Sequence, residues 1–188
     1  MEFRYLTPDD IEVRVQSIKL NPDNTPKGLI LLLYKNARVD MNILDETVGA
    51  ENWQREHYEC KGNLFCRVGI RTCLKDNAAV AEWVYKSDCG TESNTEAQKG
   101  EASDSFKRAC FNWGIGRELY TSPFIWIKAE DCNIYDTRRK DKLGNPIYAT
   151  NDRFYVEKII IEDKKITAIS IINESKKARC FVWQKPQN

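Results

Sequence analysis

Long hydrophobic segments are missing from this chain. No run of eighteen or more apolar residues occurs, and Met1–Leu6 has neither the apolar stretch nor the cleavage site of a secretory signal. We therefore expect a soluble, cytoplasmic protein with no membrane partner. At 188 residues, the chain is long enough for one packed core and too short for several, so a single domain with a small appendage is the default.

Metal-ligand spacing is also absent. The seven cysteines include no Cys-x-x-Cys pair, and His57 is the only histidine. This set predicts no structural zinc or other metal site. An odd number of cysteines in a cytosolic chain favours reduced, mostly buried thiols over a disulfide framework.

The sequence also has few signs of catalytic machinery. It contains no Gly-x-x-x-x-Gly-Lys-Ser/Thr loop, so it lacks the phosphate cradle that an ATP-driven recombinase or helicase needs. His57 lies in a polar, strand-like stretch without a nucleophile elbow, and we interpret it as an ordinary exposed histidine. A metal-dependent nuclease stays open as an alternative, with Asp88, Glu92 and Glu101 as candidate acids. Because these acids lie near the start of a predicted helix, helix capping explains them more simply. We expect no enzymatic activity and no cofactor.

The net charge of +1 gives no reason by itself to expect a nucleic-acid partner. Its distribution is uneven, because residues 1–106 carry 13 basic and 18 acidic side chains while residues 107–188 carry 16 and 10. This asymmetry permits a basic groove on a nearly neutral molecule. Random drift of charge along the chain explains it equally well.

The first part of the chain predicts two short helices around a strand. Thr7-Pro8-Asp9-Asp10 is typical of a helix start, with a hydroxyl N-cap followed by proline and acids, and predicts a helix through Ser17. The continuous apolar run Leu29–Tyr34 predicts a buried strand. A second helix is predicted to begin at Asp40 and to end at Gly49.

A β-hairpin is predicted next. In Leu64–Arg71, apolar side chains alternate with a face that carries Phe65, Arg67 and Arg71. Ala79–Lys86 is predicted to return as the partner strand. The face with the two arginines has two interpretations: a stacking surface with flanking cations, or a face covered by a neighbouring protomer.

A long helix is predicted from Thr95 to Asn112, where Gly114 and Gly116 stop it. Lys107 and Arg108 fall on or beside its solvent-facing side. Its apolar stripe consists of Ala102, Phe106, Ala109, Cys110 and Trp113. Trp113, and Trp126 further along the chain, are predicted to belong to the core.

The rest of the chain predicts strands. Phe124–Ile127 reads as one strand, and Thr137–Asn145 as a polar, mobile loop. Phe154–Ile161 and Ile166–Ile172 predict a hairpin, to which Arg179–Trp183 adds a third strand.

One ordered set of segments resembles the Rad52 family of single-strand annealing proteins, and most closely its short phage and bacterial members. The matching segments, in chain order, are Ala37-Arg-Val-Asp-Met-Asn-Ile-Leu-Asp-Glu, Gly49-Ala-Glu-Asn-Trp53, the hairpin from Phe65 to Trp83, and Glu101-Ala-Ser-Asp-Ser-Phe-Lys-Arg-Ala-Cys-Phe-Asn-Trp-Gly-Ile-Gly-Arg. A Lys-Arg pair on a helix is commonplace, but the ordered set is specific. The resemblance covers about residues 35–127.

The resemblance implies an α+β fold in which a curved antiparallel sheet packs against one long helix, here with an additional C-terminal β-hairpin. We accordingly expect an annealing core at residues 1–127 and a β-rich extension at 128–188, packed on or beside it. The resemblance also implies rings of protomers whose outer groove holds single-stranded DNA by its backbone.

The implied activity is ATP-independent binding of single-stranded DNA and annealing of complementary strands, in homologous recombination and double-strand break repair of the phage type. The implied partners are single-stranded DNA, its complementary strand, further copies of this chain and a single-strand-binding protein. The implied location is on DNA in the cytoplasm. A passive single-strand-binding protein is an alternative.

Family positions carry over residue by residue. Arg38, Lys107 and Arg108 match an inner DNA site, while Lys75 and Lys99 match an outer site to which we add Arg67 and Arg71. Three features depart from the family. Phe111 replaces a further basic residue of the inner groove, Ala50 replaces an aromatic residue before the Asn-Trp, and the partner-binding tails of the longer animal proteins are absent.

Each inner-site residue also has a plain interpretation. In these interpretations none of the three contacts DNA. Lys107 is a solvated surface lysine, Arg108 pairs with Asp104 at i, i+4, and Arg38 is a surface residue near Asp40.

Overall fold

Antiparallel strands and two α-helices make up the computed structural model, which describes residues 1–74, 77–91 and 97–186. The predicted α+β class is confirmed. The elements are β1 (Glu12–Leu20), β2 (Pro26–Tyr34), α1 (Ala37–Val48), β3 (Trp53–Cys60), β4 (Asn63–Leu74), β5 (Asn77–Cys89), α2 (Ala97–Trp113), β6 (Ile125–Lys128), β7 (Tyr135–Lys140), β8 (Pro146–Ala149), β9 (Phe154–Glu162), β10 (Lys165–Asn173) and β11 (Ala178–Gln184).

The contacts divide the chain into two compact units that interleave in sequence. The helix–sheet unit contains Met1–Tyr5 and Asn36–Arg117, and the six-stranded unit contains Leu6–Lys35 and the chain from Glu118 onward. The expected boundary between residues 127 and 128 stays a prediction, because compactness alone does not test where a separately folding domain ends.

In the helix–sheet unit, β3, β4 and β5 form an antiparallel sheet in that order, and α2 packs on one face of it. Strand alternation places Cys66, Val68 and Ile70 on the helix side, where all three are fully buried. They meet the apolar stripe of α2, in which Phe106, Ala109 and Cys110 are fully buried. The predicted hairpin and the predicted stripe are therefore confirmed.

The approach of α2 to the end of β5 requires a glycine. A Cβ on Gly90 would lie 2.1 Å from the carbonyl oxygen of Glu101, closer than any real contact. At its other end, α2 stops where predicted, since Gly114 and Gly116 adopt positive φ angles of 103° and 70°. Lys86 donates to the carbonyl of Asn112 at 2.8 Å, so a strand cation caps the helix C-terminus.

The N-terminus of α1 differs from the prediction. Asn36, not Asp40, caps the helix, because its Oδ1 accepts hydrogen bonds from the backbone amides of Arg38 and Val39. Asp40 is fully buried inside the first turn. The helix begins one turn earlier than expected because asparagine is as good an N-cap as aspartate. Gly49 ends the helix as predicted.

The six-stranded unit is an antiparallel sheet in the order β11-β10-β9-β1-β2-β6. β11 also contacts β6, so the sheet curls toward a barrel and its apolar side becomes an enclosed core. Leu29, Ile127 and Ile171 are fully buried in this unit. The expected curved sheet and C-terminal hairpin are confirmed, and β11 is the expected third strand. The expected antiparallel sheet packed on the long helix is β3-β4-β5 with α2, and it is separate from this six-stranded sheet.

Two local predictions in this unit are wrong. The expected helix from Thr7 to Ser17 is only a 3-10 turn at Pro8–Asp10, after which β1 pairs with β2 along its length. The capping residues do form a turn, but β-branched side chains and a long-range partner favour a strand beyond it. In the expected mobile loop at Thr137–Asn145, residues 137–140 are instead the second part of β7, and residues 141–145 form the turn to β8.

The tryptophans and cysteines vary in burial. Trp113 and Trp126, expected in the core, are half-buried, and the indole of Trp113 donates to the carbonyl of Val68 at 3.0 Å. Among the cysteines that the structure describes, Cys66, Cys110 and Cys132 are buried, whereas Cys60 is exposed and the remaining two are half-buried. Burial raises the pKa of the Cys66 thiol to about 11, so it stays protonated at neutral pH. No helix in the described parts of the chain is both long and apolar enough to span a bilayer.

A hydrogen-bonded cluster that joins three strands of the six-stranded unit predicts a pH dependence of stability. Glu157 on β9 accepts hydrogen bonds from the Arg179 guanidinium and the Ser170 hydroxyl, and these lower its pKa from 4.5 to about 2. A lowered pKa in the folded state stabilises the protein above the ordinary pKa, and this stabilisation is lost as pH falls toward 2.

We expect Glu157→Gln to lower the thermal midpoint at pH 7 and to have progressively less effect between pH 4.5 and 2, as followed by circular dichroism. Glu162→Gln, an exposed glutamate on the same strand, is the matched control. A destabilisation by Glu157→Gln that is constant across this pH range would contradict the assignment.

Candidate nucleic-acid interface

The basic pair of α2 lies at the edge of the helix, between core and solvent. Phe106 before it and Ala109 after it are fully buried. The Lys107 side chain is 23% exposed and that of Arg108 42% exposed. Neither cation is hidden in the core, so both can be reached by a ligand at the surface.

Each cation of the pair has a carboxylate neighbour. Lys107 Nζ lies 3.9 Å from Asp104 Oδ1, and Arg108 Nε lies 3.2 Å from Asp88 Oδ1 at the end of β5. The sequence offered Asp104 as the partner of Arg108, which is wrong. Arg108 is turned toward β5. Asp104 lies one helical turn before Lys107, and its Oδ2 also accepts hydrogen bonds from the backbone amide and hydroxyl of Thr91, each at 3.2 Å. Partly exposed pairs of this kind contribute about 0–1 kcal/mol, so they weaken a phosphate contact without blocking it.

Arg38 lies beside a cleft of about 350 Å³ within the same unit. The N-terminus of α1, the strand β3 and the first turns of α2 line this cleft, which we call the α1–α2 cleft. Its lining residues are Asn36, Ala37, Arg38, Met41, Arg55, His57, Ala102 and Ser103. Arg38 is exposed there, and Asp40 behind it is buried.

Arg55 and His57 reach the cleft from β3. The Arg55 guanidinium lies 4.7 Å from the ring centroid of the buried Phe106, a cation–π contact that fixes an otherwise long and mobile side chain. His57 Nε2 lies 3.1 Å from the carbonyl oxygen of Ala102. A carbonyl only accepts, so Nε2 must carry the hydrogen. His57 is half-buried and tied to α2, so its interpretation as an ordinary exposed histidine is wrong.

The α1–α2 cleft leads along α2 toward the basic pair. Ser103 lines the cleft, and Lys107 follows it at i+4, one turn further on the same side of the helix. The structure thus brings Arg38, Arg55 and Lys107 to one edge of α2. Arg108 stands beside them, turned toward β5.

Sequence reasoning missed Arg55 and His57 as members of this edge. The pairing of β3 with β4 places Arg55 opposite Val68 and His57 opposite Cys66, so both face the helix side of the sheet. Alternation of side chains along β3 could have indicated that Arg55 and His57 share a face. Only the register with β4 shows that this face is the one that α2 covers.

The three outer-site residues that the structure describes are not brought together. Arg67 and Arg71 lie on the sheet face opposite α2, whereas Lys99 is an exposed residue of the first turn of α2. Lys75 lies outside the described residues. Arg67 pairs with Glu56 and lies 5.1 Å from the Tyr85 ring centroid, so part of its charge is already compensated. The outer site stays a prediction.

The sheet face with Arg67 and Arg71 is aromatic and partly exposed. The rings of Tyr58 and Phe65 stack at 5.6 Å and those of Trp83 and Tyr85 at 6.4 Å. Such a face suits stacked bases or a neighbouring protomer, and both interpretations stay open.

The two candidate nuclease acids that the structure describes have structural partners. Asp88 pairs with Arg108, and Glu101 accepts a hydrogen bond from the backbone amide of Leu64 at 3.0 Å. Glu92 lies outside the described residues. Among the residues that the structure describes, no three acidic, histidine or cysteine side chains are grouped to hold a metal ion.

Comparison with known families gives one match. A family model described as "Rad52/22 family double-strand break repair protein" matches residues 3–136. No curated protein and no solved structure gives a significant match to the chain.

The acid beside Lys107 allows a gain-of-affinity prediction. If Lys107 contacts phosphate, Asp104→Asn removes a competing carboxylate, and affinity for single-stranded DNA should rise about two- to fivefold at low salt. Fluorescence anisotropy with labelled oligothymidylate measures this.

The matched control is Glu46→Gln, which removes an acid paired with Arg4 elsewhere in the same unit. An equal rise in both variants would indicate only a change in net charge, and no rise in Asp104→Asn would leave Lys107 without a phosphate contact.

Proposed function

The chain belongs to the Rad52/22 family of double-strand break repair proteins, and we propose that it acts by binding single-stranded DNA through its backbone and annealing complementary strands. On this proposal it uses no ATP, metal or covalent chemistry, so it is not an enzyme.

One observation supports the proposal most directly: cations on one edge of α2 follow one another from the α1–α2 cleft to the basic pair. A nucleic-acid strand carries a negative charge at every phosphate, and a row of cations gains affinity by releasing its counterions. Arg55 is already held in place by Phe106, so less side-chain freedom is lost on binding.

Backbone binding also accounts for annealing. Contacts to phosphates position a strand without reading its bases. A strand held in this way keeps its base edges free to meet a complementary strand. The partly exposed Lys107 and Arg108 suit such reversible contacts, because each already has a carboxylate neighbour that competes with phosphate.

We further propose that several copies assemble into a ring, and that the protein works on DNA in the cytoplasm in recombination of the phage type, with a single-strand-binding protein as a further partner. The resemblance of residues 35–127 to the short phage and bacterial proteins supports this assignment. The aromatic face of the sheet β3-β4-β5 provides a surface that a neighbouring copy could cover. The mass of the native particle tests assembly.

A passive single-strand-binding protein is the second candidate, favoured by the stacked aromatic pairs on that sheet face. Complementary oligonucleotides mixed with the protein separate the candidates. Faster duplex formation in chelator and without ATP supports annealing, coating without pairing supports the passive protein, and cleavage that needs metal supports a nuclease.

The basic pair provides the central mutational test. Lys107→Ala with Arg108→Ala should weaken binding to single-stranded DNA and reduce the slope of log K against log salt by about 1.4, the value for two phosphate contacts on a single strand. Anisotropy titrations across a salt series measure both quantities.

Lys158→Ala with Lys165→Ala removes two exposed lysines of β9 and β10 and serves as the matched control. Circular dichroism should show both variants folded. If the two double variants bind alike, the basic pair is not the DNA site.

A further inference from the structure

The hairpin β7–β8 carries cations that the function proposed above does not use. Arg138, Arg139, Lys140 and Lys142 lie within five consecutive positions and are all exposed. Within the described residues, none of these four side chains forms an ion pair or hydrogen bond. The family match ends at residue 136, so these cations lie outside it.

The acids of the hairpin are engaged with its own backbone. Asp136 Oδ1 accepts a hydrogen bond from the backbone amide of Arg138 at 2.7 Å. Asp141 Oδ1 accepts from the amides of Leu143 and Asn145 at 2.8 and 2.9 Å. Both carboxylates stabilise the bulge and the turn, so the shape of the hairpin is set before any ligand arrives.

A β-bulge directs the side chains of β7. Asp136 pairs with Tyr148 and Arg139 with Ile147, so two residues of β7 have no counterpart on β8, and Arg138 adopts a φ angle of +60°. The bulge brings Tyr135 and Arg139 to the same face as Ile147. All three are exposed, which gives this face a cation flanked by apolar surface.

The hairpin makes few contacts with the six-stranded sheet of its own unit. Among the described elements, β7 and β8 make extensive contacts only with each other. A hollow of about 480 Å³ opens beside the turn, lined on one side by Asp141 and Asn145 and on the other by Ile18 and Asn24. At the tip, Leu143 is 87% exposed.

We propose that the hairpin β7–β8 is an arm that binds duplex DNA, the product of annealing. A two-stranded β-ribbon fits the major groove, which is about 12 Å wide. The cations along the ribbon would contact phosphates at the groove edges. The apolar side chain of Leu143 at the tip would be removed from water by packing against sugars or base edges, which favours binding. The hairpin carries two tyrosines, Tyr135 and Tyr148, which do not stack on each other. It therefore provides a poor surface for stacking the bases of a single strand.

The test compares two triple variants of the full chain. Arg139→Gln, Lys140→Gln and Lys142→Gln remove three arm cations, and Lys158→Gln, Lys165→Gln and Lys185→Gln remove three exposed lysines from β9, β10 and the segment after β11. The net charge changes equally in both. Circular dichroism and thermal melting establish that both fold.

The measurement is binding to a short duplex and to a single strand of the same length across a salt series. We expect the arm variant to lose about tenfold or more in duplex affinity, with a salt slope lower by about 2.7 for three duplex contacts. Its single-strand affinity should stay within about twofold of the unmodified protein. The control variant should bind the duplex nearly as the unmodified protein does.

Three results would overturn the arm: equal loss in both variants, equal loss for duplex and single strand, or no duplex binding by the unmodified protein. The function proposed above is tested by single-strand binding and annealing by the unmodified protein. Those measurements are independent of the duplex comparison, so either proposal can be contradicted while the other is supported.

The tip has its own readout. Leu143→Ala removes apolar surface without changing charge, so duplex affinity should fall about two- to fivefold while the salt slope stays the same. An unchanged affinity would contradict a contact between Leu143 and the duplex.

Discussion

The packing of Phe106 between α2 and the sheet β3-β4-β5 is the interaction on which the candidate interface depends. Its ring is fully buried, lies 6.1 Å from the ring of Trp53 and is covered by the guanidinium of Arg55. Burial of such a side chain stabilises the fold by about 1.5–3 kcal/mol. It also fixes the rotation of α2, and because Lys107 follows directly in sequence, its position at the helix edge is set by the same contact. In this unit, the same packing contact therefore stabilises the core and positions the cation.

Charge compensation explains how a nearly neutral chain can present a candidate phosphate-binding edge. Asp104 and Asp88 neutralise Lys107 and Arg108 locally, which limits the repulsion between neighbouring cations in the free protein. The same carboxylates must be displaced or shared when phosphate arrives. Binding at such an edge is an exchange of ion pairs, so it is weaker per contact than binding at an uncompensated patch.

Local signals predicted the parts of the fold that depend on neighbours in sequence. The apolar stripe and terminal glycines predicted α2, and alternation predicted β4, β5 and the strands from Phe154 onward. The errors arose where long-range pairing decides the structure. Thr7-Pro8-Asp9-Asp10 does form a helical turn, but pairing with β2 makes Glu12–Leu20 a strand. Arg55 and His57 were missed because only the register between β3 and β4 shows which face they occupy. The inner-site cations came from family resemblance, and sequence could not show which acids lie beside them.

The two groups of cations differ in how their acids are used, and this difference separates their physical roles. At the edge of α2, Asp104 and Asp88 lie beside the cations and also accept hydrogen bonds from the backbone amides of Thr91 and Cys89. In the hairpin β7–β8, Asp136 and Asp141 bind backbone amides and pair with none of the described arginines and lysines. Uncompensated charge acts over a Debye length of about 8–10 Å at moderate salt, and it raises the rate of encounter with a polyanion. A cation beside a carboxylate attracts a phosphate only at contact distance, and the competing carboxylate makes that contact easier to reverse. On the two proposals above, the compensated cations at the edge of α2 would suit reversible contacts with a single strand that must be released once it has paired. The uncompensated cations of the hairpin would suit capture of a longer, stiffer duplex.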